Sequence, residues 1–208
     1  MISSSLSTAA HPQTEDAVRE EMFAIATHES KRLEHLTADF LTYARPVLPN
    51  RSPASMRDLL TYVASVTKSH AAKRSITVSC ELSQEFPIEI DVSQVEGALL
   101  NLVLNAIDAI EEGGTITLSA TLEGNLLRID VENSGPQIPA SVLDRIFEPF
   151  FTTKPAGTGL GLAIARGAAK AHARRLRKLR RRNRLVAKSR LALHHTVNAL
   201  GGANVFHA

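Results

Sequence analysis

The stretch that most limits what this chain can fold into is Val92 to Ile110, VSQVEGALLNLVLNAIDAI. At helical spacing Val95, Leu99, Leu102, Val103, Ala106, Ile107 and Ile110 make one broad apolar face, the pattern of a helix packed on a sheet. Asn101, Asn105 and Asp108 interrupt it at i,i+4 and i,i+3 steps, so their side chains share neighbouring ridges of one helix surface. Asparagine is a poor helix former because its side chain competes for backbone groups, so two of them among leucines need a cause. Two causes fit this stretch alone. One is hydrogen bonding to a neighbouring loop; the other is a ligand of hard oxygens, such as Mg²⁺ with phosphates, held through amide carbonyls.

Charge narrows the choice of partners. The 208-residue chain carries a formal net charge of +3, but residues 172–208 hold ten of its 24 Lys and Arg and no Asp or Glu. The residues before them have 14 basic against 21 acidic side chains, so basicity belongs to the tail and a nucleic-acid partner for the whole chain is not expected. No run approaches the roughly 18 apolar residues of a membrane span, and Met1 to Ala10 lacks the basic start and apolar centre of a signal peptide. A cytoplasmic location follows as the expectation. The single cysteine, Cys80, excludes an internal disulfide and a cysteine-based zinc site; on an apolar strand it reads as a small buried hydrophobe.

Taken in order, residues 1–13 are rich in Ser, Thr, Ala and Pro and are expected to be disordered. Thr14 is placed to cap a long helix over 14–45, with Val18, Met22, Ile25, Leu33, Leu36, Phe40 and Tyr43 spaced as a coiled-coil-like seam that needs a partner helix. Pro46, Pro49 and Pro53 make 46–54 a stiff linker. A third segment, 55–171, opens with an amphipathic helix from Met56, a strand over Ser75–Leu82 and a short extended piece, Ile88–Asp91. After the asparagine helix, stopped by Gly113-Gly114, Thr115–Leu122 and Leu126–Glu132 read as a hairpin joined by Glu123-Gly124-Asn125. A loop, Asn133 to Pro139, and a short helix through Ile146 follow. A second loop then ends in Gly157-Thr158-Gly159-Leu160-Gly161 and enters a helix to about Ala171. Glycines at a helix start leave N–H groups free for an anion, although Leu162 breaks the dinucleotide pattern GxGxxG and the GxxxxGK[ST] phosphate loop is absent.

In combination these motifs are specific. N-L-x-x-N-A-x-D-A, then G-P-x-I-P after a strand, F-E-P-F-F-T-T-K and G-T-G-L-G-L-A-I-A resemble, in order and spacing, the N, G1, F and G2 boxes of bacterial sensor histidine kinases. The resemblance covers Glu96–Ala171, and upstream ESKRLEHLTADFLTYARP is similar to the second helix of that family's dimerisation hairpin. It implies an α+β fold: a two-layer α/β sandwich of the Bergerat type, preceded by a long helix. It also implies ATP and Mg²⁺ as ligands. Asn105 is then the principal metal ligand, with Asn101 beside the metal and phosphates and Asp108 on the same ridge. Asn133, Gly135 and Ile138 would face the adenine, and Phe147 to Ala156 would form a lid with Lys154 near the phosphates. Gly157, Thr158, Gly159, Leu160 and Gly161 would contact the phosphate chain. The implied activity is that of a protein-histidine kinase in a two-component phosphorelay, with a response regulator downstream and a homodimer through the long helix. No side chain is assigned as a reacting group.

Related ATP hydrolases place a glutamate base where this chain has Asn101. An amide cannot take a proton from water, and a general base contributes roughly 10²–10⁴-fold in rate, so hydrolysis as the main activity is disfavoured. Three departures from the kinase pattern matter. Asn133 replaces the usual G1 aspartate, exchanging a charged acceptor for a neutral one at a cost of about 1 kcal/mol, and Gln137 replaces a second glycine. His28-Glu29 lacks the context of a phosphoacceptor, so the substrate histidine is expected from another chain's hairpin. From Ala173 the Gly-Gly and closing strands of the family are missing, and 172–208 reads as an atypical basic tail, unrelated and poorly ordered, arising from a change of reading frame. A second reading is an inactive nucleotide-binding or dimerisation fragment that modulates a full-length kinase; a third is a nucleic-acid binder through the tail. Sequencing the coding DNA tests the frame change: a neighbouring frame should encode Gly-Gly followed by strand-like sequence.

Overall fold

The computed structural model describes residues 1–45, 47–123, 126–154, 157–179 and 190–197, with side chains described for all of these except 123, 173–179 and 190–197. Pro46 of the expected linker, residues 124–125 of the expected hairpin turn, residues 155–156 of the expected lid, and residues 180–189 and 198–208 of the tail lie outside the described residues. The chain forms two compact units that divide after Arg45.

The first unit holds α1 (Ile2–Ala9) and α2 (Asp16–Ala44). The helix at Ile2–Ala9 corrects the expectation that 1–13 is disordered. Leu6, Ala9 and Ala10 favour a helix once a neighbour exists, and Arg19 of α2 supplies one. Its guanidinium donates to the carbonyls of Ala9 at 3.1 Å and Thr14 at 2.9 Å, and pairs with Asp16 at 2.7 Å. Thr14 does not cap α2 either: its hydroxyl donates back to the Thr8 carbonyl at 2.7 Å, and Glu15 stands at the cap position without a side-chain bond. The seam residues Leu33, Leu36, Phe40 and Tyr43 are exposed.

The second unit begins with β1 (Ser52–Ala54), which turns part of the expected linker into a strand, and α3 (Met56–Ala72). Next come β2 (Ile76–Glu81), β3 (Ile88–Ile90) and α4 (Val92–Ala109), then the hairpin β4 (Gly114–Glu123) and β5 (Leu126–Asn133). The last elements are α5 (Ala140–Leu143), α6 (Gly161–Leu179) and β6 (Arg190–Val197). β1 and β3 pair antiparallel, with Pro53 tolerated on an edge. The main sheet runs β2-β4-β5-β6, with the β4–β5 pair antiparallel and both outer pairs parallel.

The backbone of β6 corrects the reading of the tail as poorly ordered for Arg190–Val197, which pairs with β5 from Leu126↔Arg190 to Asn133↔Val197. Helix α6 likewise continues past Ala171 to Leu179. Cys80 is a further correction: it is exposed, near the end of β2. Its Sγ donates to the Leu60 carbonyl at 3.4 Å, and partial burial raises the thiol pKa.

Helices α3, α4 and α6 cover one face of the sheet, and α4 lies between its two neighbours. Its predicted apolar face is the observed core: Val95, Leu99, Val103 and Ala106 are wholly buried against Ile116, Leu118, Leu127, Ile129 and Val131 of the hairpin. Side-chain caps start two of the helices. Ser55 accepts from the Asp58 amide and Asp91 from the Gln94 amide, each at 3.1 Å. Leu99→Ala is expected to cost about 2–5 kcal/mol in urea denaturation, whereas Leu104→Ala, on the exposed ridge at 39% exposure, should stay within about 0.5 kcal/mol.

Candidate functional site

Five of the predicted site residues meet along the outer ridge of α4. Gly161 opens α6 so close to α4 that a Cβ there would lie 3.2 Å from Asn101 Oδ1. Lys154 reaches across from the preceding loop, its ammonium donating to Asn105 Oδ1 at 3.1 Å and to Asp108 Oδ2 at 2.8 Å. Asn101, Asn105, Asp108, Lys154 and Gly161, drawn from three segments, thus lie along one helix surface. Their side-chain oxygens are amides and one carboxylate, a donor set suited to a hard cation that keeps water or phosphate as its other ligands.

The loop between Phe147 and Gly161 is folded on itself. The Thr152 hydroxyl accepts from the Lys154 amide at 3.0 Å, and Gly157 closes the turn by donating to the Lys154 carbonyl at 3.1 Å. A Cβ on Gly157 would come within 2.5 Å of that hydroxyl. Phe150 and Gly159 both adopt positive φ, +66° and +68°, and the Phe150 amide donates to the Gly159 carbonyl at 3.0 Å. The Thr158 hydroxyl accepts from the Leu160 amide at 3.3 Å, and Leu160 is wholly buried as the anchor of the loop. Aromatic contacts fix its other end: Arg145 lies 4.4 Å over the Phe151 ring and Arg166 5.2 Å over Phe147. Thr152, Arg145 and Arg166 were not singled out by sequence. The Thr-x-Lys spacing and an arginine beside an aromatic run were the available signals.

The expected adenine side lies at the end of β5. Gly135 packs where a Cβ would be 3.2 Å from the Ala109 carbonyl and 3.3 Å from Ile110, which places this loop at the C-terminal end of α4. Asn133 is 2% exposed, and its Oδ1 accepts the Gly135 amide at 2.9 Å. The carbonyl expected to face the adenine amino group therefore already has an internal donor, the Gly135 amide. Ile138 is half-buried in the same loop.

Residues 90–195 match the family described as histidine kinase-, DNA gyrase B- and HSP90-like ATPases, and the chain belongs to that family. Its relatives are sensor histidine kinases. The sensor histidine kinase ZraS of Escherichia coli (strain K12) is 32% identical over 153 residues, 73% of this chain and 33% of ZraS. The chain thus spans about a third of the length of that relative. Full-length ShkA in complex with AMPPNP matches 81% of this chain and 37% of its own at 26% identity and a TM-score of 0.68. Histidine kinase ThkA in complex with the response regulator TrrA matches 77% and 46% at 30% identity and a TM-score of 0.61. The family match runs through most of the tail, to residue 195, and so overturns the reading of everything after Ala173 as unrelated sequence.

Gly159→Ala tests the loop's dependence on left-handed backbone. The αL region alone costs a non-glycine residue roughly 1–2 kcal/mol, and a Cβ at this position would meet Phe150 backbone at 2.4 Å. We expect hydrogen exchange at the Phe150 amide to rise by roughly tenfold or more. Gly97→Ala, in open space on α4, should instead leave that exchange unchanged and stabilise by about 0.5–1 kcal/mol.

Proposed function

We propose that the second unit binds Mg-ATP over the outer ridge of α4 and transfers the γ-phosphoryl to a histidine presented by another chain, in two-component signalling. The observation that carries this is the convergence of the lid ammonium and the glycine-rich helix start on Asn101 and Asn105. Asn105, with Asn101 beside it, would hold Mg²⁺, which neutralises phosphate charge when bound. The free amides at the start of α6 and its helix dipole favour the phosphate chain. Lys154 is already near the place the phosphates would take and exchanges its bonds to Asn105 and Asp108 for them. Phosphoryl transfer needs mainly positioning and charge stabilisation, which this arrangement supplies without a protein base. The amide of Asn101 gives water no proton acceptor, which favours transfer over hydrolysis.

The remaining parts of this reading follow from the same family. A response regulator as onward partner is supported by the ThkA–TrrA complex. A homodimer through α2 is supported by its exposed apolar seam, and a cytoplasmic location by the need for ATP. Among the described residues no helix is long and apolar enough to cross a membrane. His28 is exposed beside Glu29 at 3.6 Å, and in this reading the acceptor histidine lies on another chain. One observation favours the alternative of a nucleotide-binding or dimerisation fragment that modulates a full-length kinase: the internal engagement of the Asn133 carbonyl.

Titration with ATP, with and without Mg²⁺, tests the proposal. Saturable, Mg²⁺-sensitive binding is expected, weakened on the order of 10–100-fold in Asn105→Ala, together with phosphorylation of a histidine-bearing hairpin supplied in trans. Binding without transfer would leave the modulating fragment; no binding would sink both ligand assignments. Asn133→Asp should tighten ATP binding by about 1 kcal/mol, close to fivefold, by restoring a charged acceptor. Unchanged affinity would show that residue 133 does not meet the adenine.

A further inference from the structure

The segment through which the chain enters the second unit is fastened to the start of α4 and to the middle of α6. The Asn50 amide donates to Asp91 Oδ2 at 2.8 Å, Gln94 Nε2 donates to the Val47 carbonyl at 3.1 Å, and Arg51 Nη2 donates to the His172 carbonyl. Asp91 also caps α4 through Oδ1. The His172 ring, 1% exposed on α6, completes the set: Nδ1 lies 2.8 Å from the Ala168 carbonyl and Nε2 lies 3.2 Å from the Asp91 amide nitrogen. A carbonyl only accepts and an amide only donates, so Nδ1 carries the ring proton and Nε2 offers its lone pair. This is the neutral ring.

We propose that His172, Asp91 and Arg51 form a clasp that holds residues 47–51 against the start of α4 and the middle of α6 and lets go when the His172 ring takes up a proton. A proton on Nε2 would set one N–H against another, so the bond to Asp91 is lost and the ring must turn. The Arg51 guanidinium, bonded to the same residue's carbonyl, adds positive charge. The Asp91 carboxylate is the facing counter-charge, but its two oxygens already accept the Asn50 and Gln94 amides. Burial is the largest effect and holds His172 below the ordinary histidine value of 6.5, with Arg51 lowering it further, against the Ala168 carbonyl and Asp91, which raise it. The closed state therefore binds fewer protons than the open one. The clasp is intact above about pH 6.5 and weakens as pH falls below it, by at most about tenfold per pH unit.

The Asn50 amide is a direct reporter, because its bond to Asp91 is one the clasp maintains. Hydrogen exchange on the full chain between pH 5 and 8, corrected for intrinsic rates, should show Asn50 protection falling roughly tenfold or more below pH 6.5. Core amides of α4, such as those of Leu102 and Val103, should keep theirs. His172→Gln, whose amide donates and accepts but does not titrate, should remove the pH dependence, and Arg51→Gln should lower Asn50 protection throughout. Protection of Asn50 that is flat or rising toward low pH, that falls only together with Leu102, or that keeps its pH dependence in His172→Gln, would overturn the clasp. Should the His172 variant fail to fold, the wild-type comparison of Asn50 with Leu102 still decides.

Discussion

The second unit depends on α4 being packed on both sides. Its inner face is closed by the β4–β5 hairpin and by α3, and its outer ridge is approached by α6 closely enough that a Cβ at position 161 would lie 3.2 Å from Asn101 Oδ1. Burial of Val95, Leu99, Leu102, Val103, Ala106 and Ile107 supplies apolar stabilisation, each side chain contributing up to about 1.5–3 kcal/mol relative to exposure. That burial fixes the rotation of the helix, and the rotation presents Asn101, Asn105 and Asp108 together. The same constraint produces core and site: a change that turned the helix would misplace the oxygens before it emptied the sheet.

Because α4 is so placed, the loop that follows α5 can be held with little apolar burial. Its order comes from one buried leucine, two arginine–aromatic contacts, the Thr152 turn and the Lys154 bridge. The bridge joins partly exposed groups, so it contributes little and is readily exchanged. Positive φ at Phe150 is a local cost held in place by Gly159, which alone lets the two backbones approach. A segment built from weak ties and one strained residue suits a lid that must rearrange around a ligand.

What the sequence disclosed follows from this division. The apolar period of α4 and the alternation of the hairpin are strong because one whole face of each is buried, and the glycine and asparagine motifs are strong because specific backbone geometry and specific oxygens are needed. The misses are places where neighbours decide. Helix α1 is serine-rich and takes its order from Arg19 of α2. Pro53 reads as a linker residue, yet β3 offers an edge that does not need its missing N–H. Cys80 sits in an apolar alternation but near the end of its strand, where the cover stops. At the site, the convergence of Lys154 on Asn105 and Asp108 joins residues far apart in the chain, and no local pattern encodes it.

The tail shows the same principle at the scale of a strand. Without β6, β5 would present a row of unpaired backbone groups along its outer edge, and a parallel partner satisfies them whatever its side chains. Arg190–Val197 has only Leu191 and Leu193 to suggest alternation, too short a signal beside a dense run of arginines. The register from Leu126↔Arg190 to Asn133↔Val197 carries the pairing to the end of β5, where Asn133 begins the candidate adenine loop. Backbone pairing on both sides of β5 therefore supports Asn133, so the described strand of the basic tail bears on that residue through the sheet and not through its charge.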